Sequence, residues 1–259
     1  MTINALKAEI LTSQFLEHGF FGKQSGYSDG VYDSLNCSDY VGDDPQNVAK
    51  NLELVKNKIG AQKLITLKQC SENKCIDVDN STPPSILTAD AMVTSTSGIA
   101  IGILAADCAP ILFFDDKNMI IAVAHAGWRG AALGVLESTL HRLVHRGADL
   151  AHTKVAIGPC IGKNSYEVND DFHQYFRDHN DCFGIVAEKL HFDLPRYCQK
   201  CLRKSGVPEQ NIQILPVDTA ANNRSYFSYR AACRSGNGVC GRNISVICLK
   251  DLSNGNNLH

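Results

Sequence analysis

The sequence predicts an α+β fold. Apolar runs of strand length alternate irregularly with stretches of helical periodicity, and this irregularity disfavours a regular doubly wound parallel sheet. No period of about 20 to 50 residues repeats itself, which disfavours solenoids and propellers. The chain has 259 residues, enough to bury a sizeable core, and mixed domains of this length are often single. We therefore expect one domain over residues 1–259, ending in a polar tail at 253–259.

The charge balance and the apolar runs argue against two classes of partner. Lys and Arg number 25 against 27 Asp and Glu, and the basic residues are dispersed, so no basic patch suits a nucleic-acid backbone. The longest apolar runs are far shorter than a membrane span, and the N-terminal residues lack the pattern of a signal peptide. We expect a cytoplasmic protein with no nucleic-acid partner and no membrane partner.

Eleven cysteines are many for a cytoplasmic chain. Their odd number and wide spread disfavour a disulfide framework, and a chain of this length does not need one. Cys198 and Cys201 have CxxC spacing, but their surroundings have a helical pattern and no second CxxC follows. We expect most of the cysteines to be buried thiols.

In the first third of the chain, turn residues and caps define the elements. The loop that contains Lys23 is rich in glycine and serine, so its backbone either approaches a ligand closely or is a plain connection. Asp44 and Pro45 predict a helix start, and Gly60 predicts its end. The predicted elements are a loop at 22–30, a helix at 45–59, and strands at 64–67 and 90–94.

The central stretch from residue 99 to residue 140 contains the most informative pattern. Two apolar runs, at 99–105 and 120–124, have strand character, with Cys108 following the first run and His125 following the second. Taken singly, Cys108 reads as a small buried hydrophobe and His125 as a hydrogen-bonded core histidine. Because both follow strands, and Asp107 and Arg129 lie beside them, we expect the two side chains to meet at one reactive site.

The turn Gly-Trp-Arg-Gly after His125 opens a helical pattern that extends to Leu143. Free backbone N–H groups at such a corner suit an anionic or polar ligand. The remaining pattern predicts strands at 154–157, 212–217 and 244–249, and helices at 170–178 and 194–206.

Several sequence blocks, in order, carry a family resemblance. They are ADCAPILFF, AVAHAGWRG, AIGPCIG with SYEV, and SYFSYR with a following GR, and HGFFG and LKQC also fit. These blocks resemble the YfiH-like family, known as laccase-domain or multicopper polyphenol oxidase proteins and regarded as purine nucleoside phosphorylases. The resemblance implies β-sheets sandwiched between helical layers, and a zinc ion held by two histidines and one cysteine. It also implies phosphorolysis of adenosine, inosine, guanosine or methylthioadenosine, together with adenosine deamination.

The resemblance assigns the metal ligands residue by residue, and one is missing. Cys108 aligns with the cysteine ligand and His125 with the second histidine, but Ser71 stands where the first histidine is expected. A serine hydroxyl is a poor zinc ligand, and a catalytic zinc ion needs three protein ligands. Cys70 could substitute only if the strand end slipped by one residue. We therefore expect one zinc site of doubtful occupancy, with weakened nucleoside turnover.

Phosphorolysis needs cations for phosphate and aromatic surfaces for the purine. We expect Lys23, Arg129 and Arg230 to hold phosphate, Lys23 replacing the arginine common in the family. The alternative for the two arginines is an ordinary ion pair. Trp128 and Tyr229 are expected to bind substrate, with 166–167 and 227–228 flanking the pocket, and Asp107 to orient its neighbours rather than to act as an acid or base. The catalytic residues are then Cys108, His125 and Arg129.

Two other functions remain open. Without metal, Cys108 and His125 could act as a thiolate–imidazolium pair in a cysteine hydrolase or deamidase, and the family fold is itself similar to that of a bacterial toxin deamidase that uses Cys and His. The third function is a non-catalytic protein that keeps the fold. A copper laccase is disfavoured because such oxidases need histidines grouped at several sites, whereas the nine here are scattered.

Overall fold

The computed structural model describes residues 3–83, 87–236 and 238–251. The polar tail at 253–259 lies outside the described residues. The strands, in chain order, are β1 (Ala5–Leu6), β2 (Leu16–Phe21), β3 (Lys63–Ile65), β4 (Cys75–Asp77), β5 (Ala91–Thr94), β6 (Ile99–Ala105), β7 (Ala109–Asp115), β8 (Ile120–Ala126), β9 (Thr153–Ile157), β10 (Phe183–Val186), β11 (Lys189–Phe192), β12 (Ile212–Ile214) and β13 (Asn243–Leu249).

Five α-helices accompany these strands in the described part of the chain. In chain order they are α1 (Pro45–Ile59), α2 (Trp128–Ala132), α3 (Val135–His145), α4 (Leu194–Lys204) and α5 (Tyr229–Arg234). Short 3₁₀ segments add single turns, the longest at Asp170–Tyr175.

Two mixed sheets organise the described part of the chain. One has five strands in the order β1-β2-β13-β6-β3, and the other has six in the order β12-β9-β7-β8-β5-β4. The strands β10 and β11 form a separate hairpin. Although β6 and β7 are consecutive in the chain, they belong to different sheets. The segment between them therefore crosses from one sheet to the other.

The two sheets share one apolar core between them. Side chains of the five-stranded sheet, such as Phe20 and Ile101, pack with Leu112, Phe114 and Val123 of the six-stranded sheet. Strand β7 is buried on both faces, because the alternate residues Ile111 and Phe113 belong to a second cluster on the opposite side.

Helices cover the outer faces of both sheets. Helix α1 packs Val55 and Ile59 on the five-stranded sheet, whereas α3 and α4 pack on the six-stranded sheet through residues such as Leu140 and Leu202. The resulting order of layers, helix, sheet, sheet and helix, confirms the predicted α+β fold with β-sheets sandwiched between helical layers. No described helix is long and apolar enough to cross a membrane.

The capping residues of α1 behave as the sequence predicts. The Asp44 side chain accepts a hydrogen bond from the Gln46 N–H, Pro45 takes the first helical position, and Gly60 ends the helix with a left-handed φ of 71°. Each of these residues satisfies or avoids a backbone group that a helix end leaves unpaired.

Several predicted boundaries were wrong. The single helix expected after the Gly-Trp-Arg-Gly turn is two helices, because Gly134 takes a left-handed φ of 87° between them. The helix expected at 170–178 is a 3₁₀ segment, Asp170–Tyr175. The strand expected at 64–67 is β3, which ends at Ile65, and the strand expected at 212–217 is β12, which ends at Ile214.

Candidate functional site

Cys108 lies where the chain crosses from the five-stranded sheet to the six-stranded sheet. It directly precedes β7 and follows Asp107, whose φ of 88° is left-handed and therefore unusual for a residue with a side chain. The Asp107 carboxylate accepts hydrogen bonds from the Thr219 hydroxyl at 2.6 Å and from the Arg230 N–H at 2.6 Å. These contacts anchor the crossing and link it to the start of α5.

His125 lies inside β8, not after it, and pairs with Pro110 of β7. The strand is two residues longer than the apolar run predicted, ending at Ala126. The ring is 7% exposed, and its Nδ1 lies 2.9 Å from Oδ1 of Asp90. The His125 N–H also donates to the Asp90 carbonyl oxygen at 2.7 Å, so the backbone and the side chain of Asp90 both contact this residue.

The structure brings Cys108 and His125 together. The Cys108 sulfur lies near enough to the His125 ring to raise the pKa of that ring. Both side chains contact Gly127, where an added Cβ would lie 2.9 Å from Sγ of Cys108 and 3.7 Å from Cε1 of His125. Glycine is therefore the residue that leaves room for the pair.

Asp90, which the sequence analysis treated only as part of a strand, is the centre of the hydrogen-bond network. Its carboxylate is fully buried and accepts from three consecutive backbone N–H groups, those of Cys70 at 3.2 Å, Ser71 at 2.9 Å and Glu72 at 2.9 Å. The same carboxylate faces the His125 ring. Asp90 therefore fixes the turn at 70–72 and the orientation of the imidazole together.

The charges of Asp90 and His125 support each other. Burial alone would raise the pKa of the Asp90 carboxyl, but hydrogen bonds from His125 and from the Glu72 N–H lower it to about 2. Burial alone would lower the pKa of His125, but attraction to the Cys108 sulfur and the hydrogen bond with Asp90 raise it to about 9. The arrangement therefore favours an anionic carboxylate beside a protonated ring.

Ser71 and Cys70 point in different directions. Ser71 has a left-handed φ of 61° and lines the same cavity as Cys108. The Cys70 thiol instead donates to the Asp90 carboxylate, with the sulfur 3.2 Å from Oδ2, and partial burial together with this carboxylate raises its pKa to about 11. The Cys70 sulfur therefore faces Asp90, whereas Ser71 lines the cavity. The suggestion that Cys70 replaces the missing histidine stays a prediction.

The described side chains do not fit a three-ligand zinc site. Within residues 3–83, 87–236 and 238–251, no group of three His, Cys, Asp or Glu side chains lies close enough together to hold a metal ion. Cys108 and His125 supply two donors, Asp90 is occupied by the turn and by Nδ1 of His125, and Ser71 offers only a hydroxyl.

A cavity of about 340 Å³ opens over Cys108. A volume of this size is at the small end of the range for ligand sites. The predicted site residues that line it are Ser71, Cys108, Trp128, Arg129, Tyr229 and Arg230. The predicted flanking residue Tyr166 also lines it, as do Asp107 and Ile161.

The two arginines of the cavity differ in how they are held. Arg129 is exposed, and its guanidinium lies 5.0 Å from the centre of the Trp128 ring. Arg230 donates to the carbonyl oxygen of Glu167 at 2.9 Å and lies over the Tyr166 ring at 5.4 Å. Arg230 therefore braces the loop beneath it, whereas Arg129 has the freedom to contact a ligand.

Lys23 is not brought to this cavity. Its ammonium lies 5.8 Å from the centre of the Phe227 ring, and it lines a separate hollow together with Phe227 and Ser228. Of the predicted flanking stretch, only Tyr229 reaches the Cys108 cavity. Lys23 and Arg129 consequently do not surround one common ligand position in this structure.

Comparison with known proteins places these features in a family. Residues 17–250 match the family of the multi-copper polyphenol oxidoreductase laccase. A purine nucleoside phosphorylase from Pseudomonas aeruginosa is 36% identical over 235 residues, covering 88% of this chain and 91% of that protein. An adenosine deaminase from an unknown prokaryotic organism is 30% identical over 229 residues, covering 81% and 87%.

A solved structure shows the same fold. The crystal structure of a Neisseria meningitidis protein superposes on this chain with a TM-score of 0.85 and 29% sequence identity. The superposition covers 96% of this chain and 100% of that chain. The family match covers the six-stranded sheet, most of the five-stranded sheet and every residue that lines the Cys108 cavity. This chain therefore belongs to the multi-copper polyphenol oxidoreductase laccase family.

Proposed function

We propose that this chain is a purine nucleoside phosphorylase that acts on adenosine, inosine, guanosine or methylthioadenosine with inorganic phosphate. The observation that carries the proposal is one cavity in which two arginines and several aromatic rings surround Cys108, with His125 buried beside it. The similarity to the Pseudomonas aeruginosa purine nucleoside phosphorylase supports the same substrate class.

Different side chains of the cavity suit the phosphate, the purine and the proton transfer. Phosphate needs charge-assisted hydrogen bonds, and the exposed Arg129 at the cavity supplies them. The rings of Trp128 and Tyr229 offer apolar faces for a purine. A purine leaves most readily when it gains a proton, and Cys108 with His125 are the proton-carrying groups beneath the cavity.

The same geometry limits the reaction. Zinc held by Cys108 and His125 alone lacks its third strong ligand, because Ser71 supplies only a hydroxyl. We therefore expect low zinc occupancy and weak nucleoside turnover. The family resemblance assigns adenosine deamination to the same zinc site, so we expect this activity to be weak as well.

The substitution Ser71→His tests the proposal. Histidine tolerates the left-handed backbone of residue 71 better than most residues do, and the turn is already fixed by Asp90. We expect zinc content to rise from near zero to about one per chain. Phosphorolysis of inosine and adenosine, and deamination of adenosine, should rise together, as measured by purine release and by inosine formation.

Two matched variants serve as controls. Ser71→Ala removes the hydroxyl, and Cys70→Ala in the Ser71→His background removes the neighbouring thiol, so neither should change the zinc content of its parent. A Ser71→His protein that binds zinc but releases no purine would overturn the proposed function. Rapid phosphorolysis by chelator-treated wild-type protein would instead overturn the limit set by Ser71.

A further inference from the structure

The side chains of Asp90, His125 and Cys108, which do not fit a zinc site, are arranged like a catalytic triad. The Asp90 carboxylate, the His125 ring and the Cys108 sulfur follow one another from the buried interior to the floor of the cavity. We propose that these three residues form a metal-independent nucleophilic triad, which hydrolyses a small ester or primary amide that carries a negative charge. This activity goes beyond the proposed phosphorolysis and does not depend on it.

The geometry gives each member a role. Nδ1 of His125 donates to Oδ1 of Asp90 at 2.9 Å, and the Cys108 sulfur lies beside the ring next to Gly127, which leaves Nε2 as the nitrogen available to that sulfur. His125 then acts as the base for the thiol, and Asp90 is a positioning residue that fixes the ring in this orientation.

Asp90 is itself rigidly held, which is what a positioning residue requires. Three backbone N–H groups, those of Cys70, Ser71 and Glu72, donate to its two oxygens, and its own carbonyl oxygen accepts from the His125 N–H. The imidazole is thus oriented before any substrate binds, so no ordering is required during the reaction.

The reaction is balanced with water as the only co-reactant. The reaction starts with the thiol proton already on Nε2 of His125, the Cys108 sulfur attacks the carbonyl carbon, and a C–S bond forms. The bond from carbon to the leaving oxygen or nitrogen then breaks, and the leaving group takes the proton from His125. Water next gives a proton to His125 and forms a C–O bond as the C–S bond breaks, which restores the Cys108 thiolate and the protonated His125 ring.

The cavity sets the substrate class. Its volume of about 340 Å³ admits a small molecule but not a polymer segment with bulky neighbours. The exposed guanidinium of Arg129 lies at the same cavity and favours an anionic group on the substrate. A small acyl ester or primary amide with a carboxylate or phosphate therefore fits best.

The test uses the full chain after treatment with a chelator, with 4-nitrophenyl acetate and its anionic analogue mono-4-nitrophenyl succinate as probes. We expect a burst of about one nitrophenolate per chain, and peptide mass spectrometry should find the acyl group on Cys108. The succinate probe should react faster than the acetate probe, and Arg129→Ala should remove this preference.

Variants separate the triad from general thiol reactivity. Cys108→Ala should abolish the burst, whereas Cys233→Ser, which removes another exposed thiol, should leave it intact. Asp90→Asn should lower the limiting acylation rate constant between about 10²-fold and 10⁴-fold, with an unchanged half-saturating probe concentration. Because Asp90 also holds the turn, His125→Gln provides the second variant, since it leaves Asp90 and its three N–H donors in place.

The opposing outcomes are distinct. A burst that survives His125→Gln, acylation at Cys233 instead of Cys108, or a burst that requires added zinc would each overturn the triad. None of these results bears on nucleoside phosphorolysis, so either activity can fail alone.

Discussion

Two buried histidines on different sheets are held in opposite ways. His18 on β2 is 4% exposed and His125 on β8 is 7% exposed. Nε2 of His18 accepts a hydrogen bond from the Ala8 N–H at 2.9 Å, whereas Nδ1 of His125 faces the Asp90 carboxylate. Burial, followed by the nearby Lys7 charge, lowers the pKa of His18 to about 4. The pKa of His125 is raised to about 9 despite burial.

The difference shows that burial alone does not assign a role to a histidine. A ring that accepts a backbone N–H must stay neutral and serves the fold, as His18 does. A ring that donates to a carboxylate and faces a thiol is prepared to move a proton, as His125 is. The partner atom therefore separates the structural histidine from the one to which we assign a function.

The first prediction concerns Asp90→Ala, which removes the partner that distinguishes His125 from His18. It removes the carboxylate that faces His125 and leaves three backbone N–H groups without their acceptor. We expect the free energy of unfolding to fall by about 3 to 5 kcal/mol, as measured by urea denaturation. The control is Asp116→Ala, which removes an exposed carboxylate paired with Lys154 and should cost no more than about 0.5 kcal/mol. Equal losses in the two variants would contradict the central role of Asp90.

The second prediction concerns His18 and acid. Above pH 6.5 the ring is neutral in the folded and the unfolded chain, so it adds no pH dependence. Between pH 6.5 and about 4 the unfolded chain binds a proton that the folded chain excludes, so stability falls as pH is lowered. The loss attributable to His18 should reach about 3 kcal/mol near pH 4.

The variant His18→Gln isolates this effect. Glutamine can accept the Ala8 N–H and does not titrate, so the difference in unfolding free energy between the two proteins should change across this window and be constant above it. A difference that stays constant down to about pH 4 would show that His18 titrates normally in the fold.

The third prediction concerns Gly127, where an added side-chain carbon should push Cys108 and His125 apart. Gly127→Ala places a Cβ 2.9 Å from the Cys108 sulfur, so the sulfur or the ring must move. We expect the rate of Cys108 acylation to fall about 10²-fold, with a loss of about 1 to 3 kcal/mol in stability. The pH dependence contributed by His18 should not change, and acylation at the wild-type rate would indicate that the pair tolerates displacement.

The smallest effects concern the cations. Arg129→Ala should raise the KM for phosphate about 10-fold, because it removes a charge-assisted hydrogen bond at the cavity. Lys23→Ala should change this KM less than about 2-fold, since Lys23 lines a different hollow. Steady-state phosphorolysis with Ser71→His as the parent protein measures both. A larger effect of Lys23→Ala on the KM for phosphate would show that Lys23 does contact phosphate.

Local patterns in the sequence were sufficient to predict elements that depend on neighbouring residues alone. The caps Asp44 and Gly60 defined helix α1, and the apolar runs defined β6 and β8. The same runs could not show that β6 and β7 enter different sheets, because sheet membership depends on pairing between distant strands. The site at Cys108 lies at that crossing.

Asp90 escaped the sequence analysis for a related reason. Its partners are the turn at 70–72 and His125, all distant in sequence, so no local spacing marks it. A polar residue directly before the buried strand β5 was the one available signal. The orientation of Cys70 was likewise hidden, because it follows from that carboxylate.

The turn at 70–72 has a consequence for how such proteins change over time. Its shape is set by a carboxylate elsewhere in the chain and not by the side chain of residue 71, which faces the cavity. A residue that tolerates a left-handed backbone, such as histidine, can therefore replace Ser71 with little effect on folding. Under the two proposals above, exchange of this one residue moves the protein between a metal-dependent and a metal-free chemistry, while the fold that carries both remains the same.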